Sequence, residues 1–219
     1  KNYEIIFVYD QKEKKDLAYI KKILSKFKKK KIIINNKNLG VAKSRNIAIK
    51  NAKGNYLAFI DADDIWKKNK LFTQLKFMKK NSCHFSFTSY AEIDESNKIT
   101  KERKVLFDAY YTDLYKSNFI GLSTVMVHNK IFSKIHFPNL TTQEDFALWL
   151  KLLRNGTKIK CLNKTLSFWR RTKNSLSSNS YRKLLDAFKL YYQYEKKNFI
   201  IAIFSVIVLS CNKIIKKFN

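Results

Sequence analysis

The chain has 219 residues, with 45 Lys or Arg against 17 Asp or Glu, and so carries a formal net charge of +28. Because 45% of the residues are hydrophobic and there are only four Gly and one Pro, collagen-like and disordered classes are excluded, and one globular domain with a sizeable core is expected. The charge is spread along the chain. It suits nucleic acid, an anionic membrane or a phosphorylated substrate, and an AT-rich genome would also produce such a Lys and Asn excess.

The first sixty residues alternate between apolar strand patterns and amphipathic helix patterns. Strands are predicted at 3–9, 31–35 and 55–60, and helices at 13–29 and 41–53. A β-α-β-α-β order predicts parallel strands joined by right-handed crossovers. We expect the ligand site beyond the carboxyl ends of these strands. The early start of the first strand predicts that no signal peptide is present.

The regular alternation of strands and helices ends after a helix predicted at 67–80. Strands follow at 83–93, 98–107 and 122–128, and a further helix at 143–154. Neither a repeat nor a linker is visible before about residue 178, so we predict one domain at 1–178 and a separate segment at 179–219. The three cysteines are far apart and lack metal-ligand spacing, which is typical of a reduced environment.

The C-terminal segment is predicted to be helical and to contact a membrane. An amphipathic, aromatic-rich pattern at 181–197 precedes an apolar run at 199–211, and lysines flank that run at 196, 197, 213, 216 and 217. Thirteen helical residues span roughly 20 Å, less than the roughly 30 Å of a bilayer core. We therefore predict a helix in the interface of an anionic membrane. The alternative is a helix packed on the protein body.

Three carboxylates follow the third predicted strand, in the sequence Asp61-Ala62-Asp63-Asp64. Crowded carboxylates repel each other unless a cation joins them, and a hard divalent cation would leave coordination positions for a diphosphate. The alternative is a simple capped turn, because Asp63 or Asp64 is a suitable N-cap for the helix that follows.

The stretch NLGVAKSRNIAIKNAKGNYLAFIDADD, residues 38–64, resembles the signature of family 2 glycosyltransferases, which have the GT-A fold and use nucleotide-diphosphate sugars. Only Ser44 departs from the usual residue, Ala. The resemblance implies an α/β fold with a mixed, mainly parallel sheet flanked by helices. It also implies Mn²⁺ or Mg²⁺ at Asp63, with Asp61 contacting the ribose or assisting the metal through water. The nucleotide-sugar site implied by the family comprises Asp10, Asn38, Gly40, Arg45, Asn46, Asp61, Ala62, Asp63 and Arg170.

Two further segments match elements of the same family. Residues 141–150 resemble its Glu-Asp-x-x-(Leu/Phe)-Trp element, in which the Asp is the general base. Asp145 is therefore the implied base, and the neighbouring Glu144 is implied to contact hydroxyls of the acceptor or the donor. The alternative is a helix start whose dipole favours both carboxylates. Residues 168–177 resemble the segment after it, where Arg170, and less clearly Arg171, would close over the pyrophosphate. A solvated basic loop is the alternative there.

The resemblance fails near the N-terminus. The family's usual first strand and helix have no counterpart, and its Val-Asp-Asp-Gly-Ser reads Val8-Tyr9-Asp10-Gln11-Lys12. We therefore expect an N-terminally incomplete GT-A domain, with Asp10 as a candidate contact for uracil.

The predicted function is inverting, metal-dependent transfer from a nucleotide-diphosphate sugar, such as a UDP sugar, to a lipid-linked or surface-polysaccharide precursor. The predicted location is cytoplasmic, peripheral on the inner face of the cell membrane. One alternative is an inactive, degenerate domain acting as a membrane-associated binding protein. The other is a basic nucleic-acid-binding module. Nucleic acid is not expected as a partner, because many aromatic residues fall in apolar strand or helix patterns.

Overall fold

The computed structural model describes residues 2–172 and 180–218, with the side chains of 216–218 excepted. The strands are β1 (Ile5–Tyr9), β2 (Lys30–Ile34), β3 (Tyr56–Ala58), β4 (Ile65–Trp66), β5 (Phe85–Ile93), β6 (Ile99–Arg103), β7 (Met126–His128) and β8 (Ile159–Arg170). The helices are α1 (Leu17–Ser25), α2 (Val41–Asn51), α3 (Lys70–Lys80), α4 (Tyr111–Lys116), α5 (Glu144–Arg154), α6 (Ser180–Lys189) and α7 (Phe199–Phe218). Two predictions, the boundary after residue 178 and the 173–177 part of the third motif, lie outside the described residues.

The strands form two sheets. β1 and β2 pair in parallel, while a six-stranded sheet has the order β3-β7-β5-β8-β4, with β6 added beside β5. The predicted parallel pairing is confirmed for β1 and β2, while β3 belongs to the other sheet, where it pairs antiparallel with β7. An apolar run indicates that a strand is buried, but it does not indicate which other strand pairs with it.

The expectation of a mainly parallel sheet also needs correction. Of the six strand pairings in the described ranges, β1–β2 and the long β5–β8 pair are parallel, and the other four are antiparallel. Each antiparallel pair includes at least one strand after residue 64. Only β5–β6 is a hairpin with a short connection, and β3–β7, β5–β7 and β4–β8 join strands that are distant in the chain. The fold is thus a mixed α/β arrangement.

Most predicted helices lie within a few residues of their observed positions, but two differ. α1 begins at Leu17, because the preceding residues from Gln11 to Asp16 are polar and exposed. The helix predicted at 181–197 is interrupted, since α6 ends at Lys189 and a π-helical turn, Leu190–Tyr194, follows it. α7 continues beyond the apolar run to Phe218.

The hydrophobic core lies between the six-stranded sheet and α5. Trp149 is fully buried and its ring meets Phe85 of β5 edge to face, with 4.8 Å between the ring centroids. β5 is buried along almost its whole length, because α3 packs against it and β8 extends beside it. This rigid centre holds the strand ends and the start of α5 in fixed positions.

The C-terminal helices pack on this body through one face. Ala202 of α7 is fully buried, and the hydroxyls of Tyr115 and Ser205 hydrogen-bond at 2.7 Å. Tyr191 donates to the carbonyl of Tyr115, also at 2.7 Å. The opposite face of α7 is exposed and apolar. Within the described ranges, no helix combines the length and the hydropathy that crossing a bilayer requires.

Candidate active site

A cleft of about 720 Å³ lies where the DADD turn faces the start of α5. It brings together seven of the residues that the sequence singled out, namely Arg45, Asp61, Ala62, Asp63, Glu144, Asp145 and Arg170. A second cleft, of about 880 Å³, is lined by residues of α2, β7 and their neighbours, and no Asp or Glu is among them. Because the predicted chemistry depends on carboxylates, the smaller cleft is the candidate active site.

The DADD turn is held by contacts with two distant segments. Asp64 accepts a hydrogen bond from the backbone N–H of Arg170 at 3.0 Å, and burial raises the pKa of its carboxyl to about 6. The backbone N–H of Asp61 donates to the hydroxyl of Ser123 at 3.1 Å. The turn therefore projects Asp63 into the cleft from a fixed backbone.

Ser123 is a structural centre of the site that the sequence did not indicate. Besides binding Asp61 through its hydroxyl, it accepts at its carbonyl oxygen from the indole of Trp66 (2.7 Å) and from the hydroxyl of Ser167 (2.8 Å). It lies in a short 3-10 turn, Leu122–Thr124, without a recognisable motif. Only the fold brings it behind the carboxylates.

Arg45 connects the two halves of the cleft. Its guanidinium binds Asp61 at 2.8 Å and forms a second ion pair with Glu144. Burial acts against its charge, but the carboxylates of Asp61, Glu144 and Asp145 outweigh that cost and raise its pKa. The pKa of Glu144 is raised, because burial disfavours its charged form even beside Arg45. Arg45 thus fixes the distance between the DADD turn and α5.

Asp145 is half-buried at the first turn of α5. Burial, aided by the nearby charge of Glu144, raises the pKa of its carboxyl to about 7, although Arg45 opposes the shift. One carboxylate oxygen accepts from the backbone N–H of Phe146 at 2.6 Å. A carboxyl that titrates near neutral pH is suited to accept a proton from a substrate hydroxyl.

Asp10 and Gly40 shape the loop before α2. The Asp10 carboxylate accepts from the backbone N–H groups of Leu39 and Gly40, each at 2.8 Å, and from the amide of Asn35 at 2.7 Å. Gly40 has φ = +86°, which a side chain would strain. The structure thus gives Asp10 a role in holding this loop, and neither residue lines the cleft.

Two predicted binding residues also point elsewhere. Asn46 donates to the carbonyl of Phe137 and accepts from its N–H, both at 2.9 Å, so its amide ties α2 to the loop before α5. Asn38 accepts from the N–H of Gly40 at 3.1 Å. Neither side chain lines the smaller cleft. From this segment, Val41 and Arg45 line it.

Arg170 lies at the cleft, where its guanidinium is directed towards protein acceptors. It donates to the carbonyls of Asp63 (2.9 Å) and Asp94 (2.8 Å) and to the side chain of Asn97 (2.6 Å). These contacts join the DADD turn to the β5–β6 hairpin. The neighbouring Arg171 is more exposed and pairs with Glu92 at 3.3 Å.

The start of α5 is held by α6, a connection that the sequence also did not indicate. The buried carboxylate of Asp186 accepts from the N–H of Thr142 at 2.9 Å and from its hydroxyl at 3.0 Å. Gln143 has φ = +63° and donates from its side chain to the carbonyl of Lys183 at 3.0 Å. α6 therefore positions the turn from which Glu144 and Asp145 project.

The residues at the DADD turn fit a divalent cation that is shared with a diphosphate. Among residues 2–172 and 180–218, none hydrogen-bonds to the exposed carboxylate of Asp63, while Asp61 is paired with Arg45. The described residues contain no group of three His, Cys, Asp or Glu able to enclose a metal. Mg²⁺ and similar ions in nucleotide sites commonly use one or two carboxylates plus substrate phosphates, so a single free carboxylate is a fitting donor.

Comparison with known proteins adds to this geometry. The model of glycosyl transferase family 2 matches residues 1–140. TuaG of Bacillus subtilis, named as a teichuronic acid biosynthesis glycosyltransferase, is 35% identical over 181 residues, which cover 82% of this chain and 72% of TuaG. The Escherichia coli protein named UDP-Glc:alpha-D-GlcNAc-diphosphoundecaprenol beta-1,3-glucosyltransferase WfaP is 34% identical over 74% of this chain and 65% of its own length.

A solved structure shares the fold. TarS of S. aureus, crystallised with UDP-GlcNAc, superposes with a TM-score of 0.71 at 19% sequence identity. The match covers 87% of this chain and 56% of the TarS chain, so this chain spans little more than half of that structure. On the family match and the identity to TuaG, the chain belongs to glycosyl transferase family 2 and is, like its relatives, a glycosyltransferase.

Proposed function

We propose that the chain transfers a sugar, with inversion, from a nucleotide-diphosphate sugar to a hydroxyl of a lipid-linked or surface-polysaccharide precursor. UDP is the proposed nucleotide, because the name of WfaP specifies a UDP sugar and TarS was crystallised with one. The name of WfaP also includes a diphosphoundecaprenol acceptor. The observation that carries the proposal is the single cleft in which Arg45 links the DADD turn to the start of α5.

The proposed chemistry uses the two sides of this cleft. Asp145 accepts the proton of the acceptor hydroxyl while the oxygen bonds to the anomeric carbon of the donor sugar. The bond from that carbon to the diphosphate breaks on the opposite side, and the nucleoside diphosphate leaves with its electron pair. Glu144, held by Arg45, lies beside the base, where it can accept hydrogen bonds from sugar hydroxyls.

Mn²⁺ or Mg²⁺ is the proposed cofactor. Asp63 would hold it, with Asp61 at its side, and the cation would neutralise the charge that develops on the leaving diphosphate. Arg45 compensates Asp61, so the DADD turn presents less net negative charge to the incoming diphosphate. Arg170 helps to hold the DADD turn in place, because its guanidinium donates to the Asp63 carbonyl.

The proposed location is the cytoplasmic, inner face of the cell membrane, to which the protein attaches peripherally. The exposed surface of α7 carries large apolar side chains, among them Phe199, Ile200, Ile203, Phe204 and Ile207. Lys196 and Lys197 precede α7, Lys213 lies within it after the apolar run 199–211, and the whole chain carries a net charge of +28. This combination is complementary to an anionic bilayer, which accepts apolar side chains below a layer of negative head groups.

Calorimetric titration with UDP tests the donor site. We expect binding that depends on Mn²⁺, and we expect Asp63→Asn to weaken it by at least about tenfold, since a ligand carboxylate is lost. Asp16→Asn removes an exposed carboxylate at the start of α1 and serves as the matched control, with circular dichroism to verify folding.

Full binding by Asp63→Asn would contradict the metal assignment. A folded wild-type chain that binds UDP but transfers no sugar from a UDP sugar to a lipid-linked acceptor would favour the inactive, degenerate domain. Transfer by the wild type and its loss in Asp145→Asn would support the assigned base.

A further inference from the structure

The side chain of Arg170 links the DADD turn to the hairpin turn between β5 and β6, residues 94–98. The parallel pairing of β5 with β8 extends to the last residue of both strands, so Arg170 lies beside the turn that follows β5. Its guanidinium donates to the carbonyl of Asp63 at 2.9 Å. It also donates to the carbonyl of Asp94 at 2.8 Å and to the side-chain oxygen of Asn97 at 2.6 Å. One side chain therefore contacts both turns.

These contacts occupy the guanidinium of Arg170 with protein acceptors. Its Nε, Nη1 and Nη2 atoms each donate to an oxygen of the chain, and Nη1 has a second, longer contact with the carbonyl of Glu95 at 3.4 Å. A guanidinium has five N–H donors in a fixed plane, so a group engaged on all three nitrogens is held in one orientation. To bind a diphosphate directly, Arg170 would have to give up some of these hydrogen bonds. Its observed contacts instead suit a role in holding the protein.

Arg170 holds the backbone on both sides of the Asp63–Asp64 peptide bond. Its Nε binds the carbonyl of Asp63, and its backbone N–H binds the carboxylate of Asp64 at 3.0 Å. The N–H of Asp64 in turn donates to the carbonyl of Asp61 at 3.0 Å. Because the carbonyl and the side chain of Asp63 are bonded to the same Cα atom, fixing the carbonyl restricts the directions that the carboxylate can take. A ligand that binds an already oriented carboxylate loses less entropy.

The side chain of Asn97 is not needed to form its own turn. The backbone N–H of Asn97 donates to the carbonyl of Asp94 at 3.1 Å. The Asp94 carboxylate accepts from the N–H groups of Ser96 and Lys98, each at 2.9 Å. Asn97 has φ = +68°, a conformation that Asn and Gly adopt more readily than other residues. The turn is therefore closed by backbone donors and by Asp94, while the amide oxygen of Asn97 binds Arg170.

We propose that Asn97 is a positioning residue for Asp63. Its amide oxygen holds the guanidinium of Arg170, and Arg170 holds the DADD turn, so that the carboxylate of Asp63 is oriented for the cation and the diphosphate of the donor. This inference rests on the proposed function of the DADD turn and adds a residue that lies outside all three motif segments.

Amide hydrogen exchange tests this connection without any nucleotide. Asn97→Gly removes the amide oxygen and tolerates the positive φ, whereas Asn97→Asp keeps an acceptor oxygen. We expect the N–H groups of Asp64 and Arg170 to exchange about tenfold faster in Asn97→Gly, because a charge-assisted hydrogen bond that holds the turn is lost. Asn97→Asp should restore exchange to near the wild-type rate.

The matched control is Ser96→Ala. It removes the hydroxyl that binds the Asp94 carboxylate at 2.7 Å, and so alters the same turn without removing a contact of Arg170. We expect the exchange of the DADD turn in Ser96→Ala to match the wild type. Unchanged exchange of that turn in Asn97→Gly would overturn the proposal, and so would equal acceleration by Ser96→Ala.

UDP titration at several Mn²⁺ concentrations tests the consequence for the donor site. Asn97→Gly should need about fivefold more Mn²⁺ than the wild type for the same UDP affinity, since Asp63 is less well oriented. Wild-type or tighter UDP binding by Asn97→Gly would overturn the inference, because it would mean that Arg170, once released, binds the diphosphate itself.

A double substitution shows whether Asn97 acts through Arg170. Lys cannot reproduce the planar fork of Arg, so Arg170→Lys should also weaken Mn²⁺-dependent UDP binding. The Asn97→Gly/Arg170→Lys chain should be no weaker than Arg170→Lys alone, and additive losses would contradict the proposed route. If the wild type fails to bind UDP, the proposed donor site is contradicted, and hydrogen exchange still decides whether Asn97 holds the DADD turn.

Discussion

At the scale of single residues, the site contains ionisable groups whose burial opposes their charge. Asp145 is the clearest case, because burial raises its pKa to about 7 while it must be ionised to accept a proton. The carboxylates of Glu144 and Asp61 and the guanidinium of Arg45 face it from α5, the DADD turn and α2. The residue proposed to act as the base therefore destabilises the fold at the pH where it works.

Asp145→Asn should lower activity and raise stability together. We expect wild-type kcat/KM to rise as the pH increases through about 7, and the variant to lose roughly a hundredfold or more of activity. The wild-type carboxyl binds a proton more tightly when folded, so wild-type stability falls as the pH rises from about 4 to about 7. The side chain of Asn does not ionise, so the variant should not show this decrease in stability.

Thermal unfolding at several pH values measures this second effect. Above pH 7 the melting temperature of Asp145→Asn should exceed that of the wild type, and the two should converge near pH 4. Asp113→Asn, at the exposed first turn of α4, should show neither effect. A variant with wild-type activity would contradict the role of Asp145 as base.

Lys70 is a buried cation at the start of α3, beside Trp66. It is fully buried, donates to the side chain of Gln74 at 2.7 Å, and its ammonium lies 4.4 Å from the ring centroid of Trp66. Burial lowers its pKa to about 7. Between about pH 7 and the unfolded value of 10.5, the unfolded chain binds the extra proton, so stability from this group rises with pH.

Lys70→Met should remove this pH dependence. Chemical denaturation of the wild type should show a free energy of unfolding that increases by on the order of 1 kcal/mol per pH unit above about pH 7, relative to the variant. Lys76→Met, exposed on the same helix, is the control and should follow the wild type. An identical pH profile for Lys70→Met would show that the ammonium is not destabilised by burial.

At the scale of elements, α6 holds the start of α5 in place. The carboxylate of Asp186 satisfies both the N–H and the hydroxyl of Thr142 in a buried setting. Removing it would leave two buried donors without an acceptor, which is costly. The turn before Glu144 and Asp145 depends on this contact because Gln143 adopts a left-handed conformation there.

Asp186→Ala should reduce kcat more than it reduces the affinity for UDP. We expect the free energy of unfolding to fall by about 1–3 kcal/mol, the cost of unsatisfied buried groups. Asp186→Asn retains one acceptor and should lie between the wild type and the alanine variant. Steady-state kinetics and UDP titration measure the two quantities separately, and an unchanged kcat in a folded Asp186→Ala chain would contradict the role of α6.

The sequence allowed the motifs to be predicted but not their supports. Arg45, Asp61 and Asp145 fall within short patterns of fixed spacing, so their convergence could be expected. Ser123 binds Asp61 across 62 residues, and Asp186 binds Thr142 across 44 residues. Such contacts leave no local pattern, because they depend on strand order and helix packing. The pairing of β3 with β7, about 70 residues further along the chain, likewise leaves no local pattern.

At the scale of the whole molecule, the proposed membrane contact depends on both net charge and exposed apolar surface. In the proposed membrane attachment, the net charge of +28 would attract the protein to an anionic bilayer, and the exposed face of α7 would supply the apolar contact. Phe204 is 65% exposed on that face, and Phe72 is 73% exposed on α3. The two phenylalanines are therefore a matched pair that differ in the surface they occupy.

Phe204→Glu should weaken binding to anionic vesicles, while Phe72→Glu should leave it near the wild-type level. The substitution removes an exposed ring that is proposed to enter the bilayer, and the new carboxylate repels anionic head groups, so about tenfold or greater loss is expected. Added salt should weaken binding of the wild type. Flotation with phosphatidylglycerol vesicles measures the binding, and UDP titration should be unchanged in both variants. If the two substitutions weakened binding equally, the added negative charge alone would explain the effect. Charge would then attach the protein, and α7 would have no special part in membrane contact.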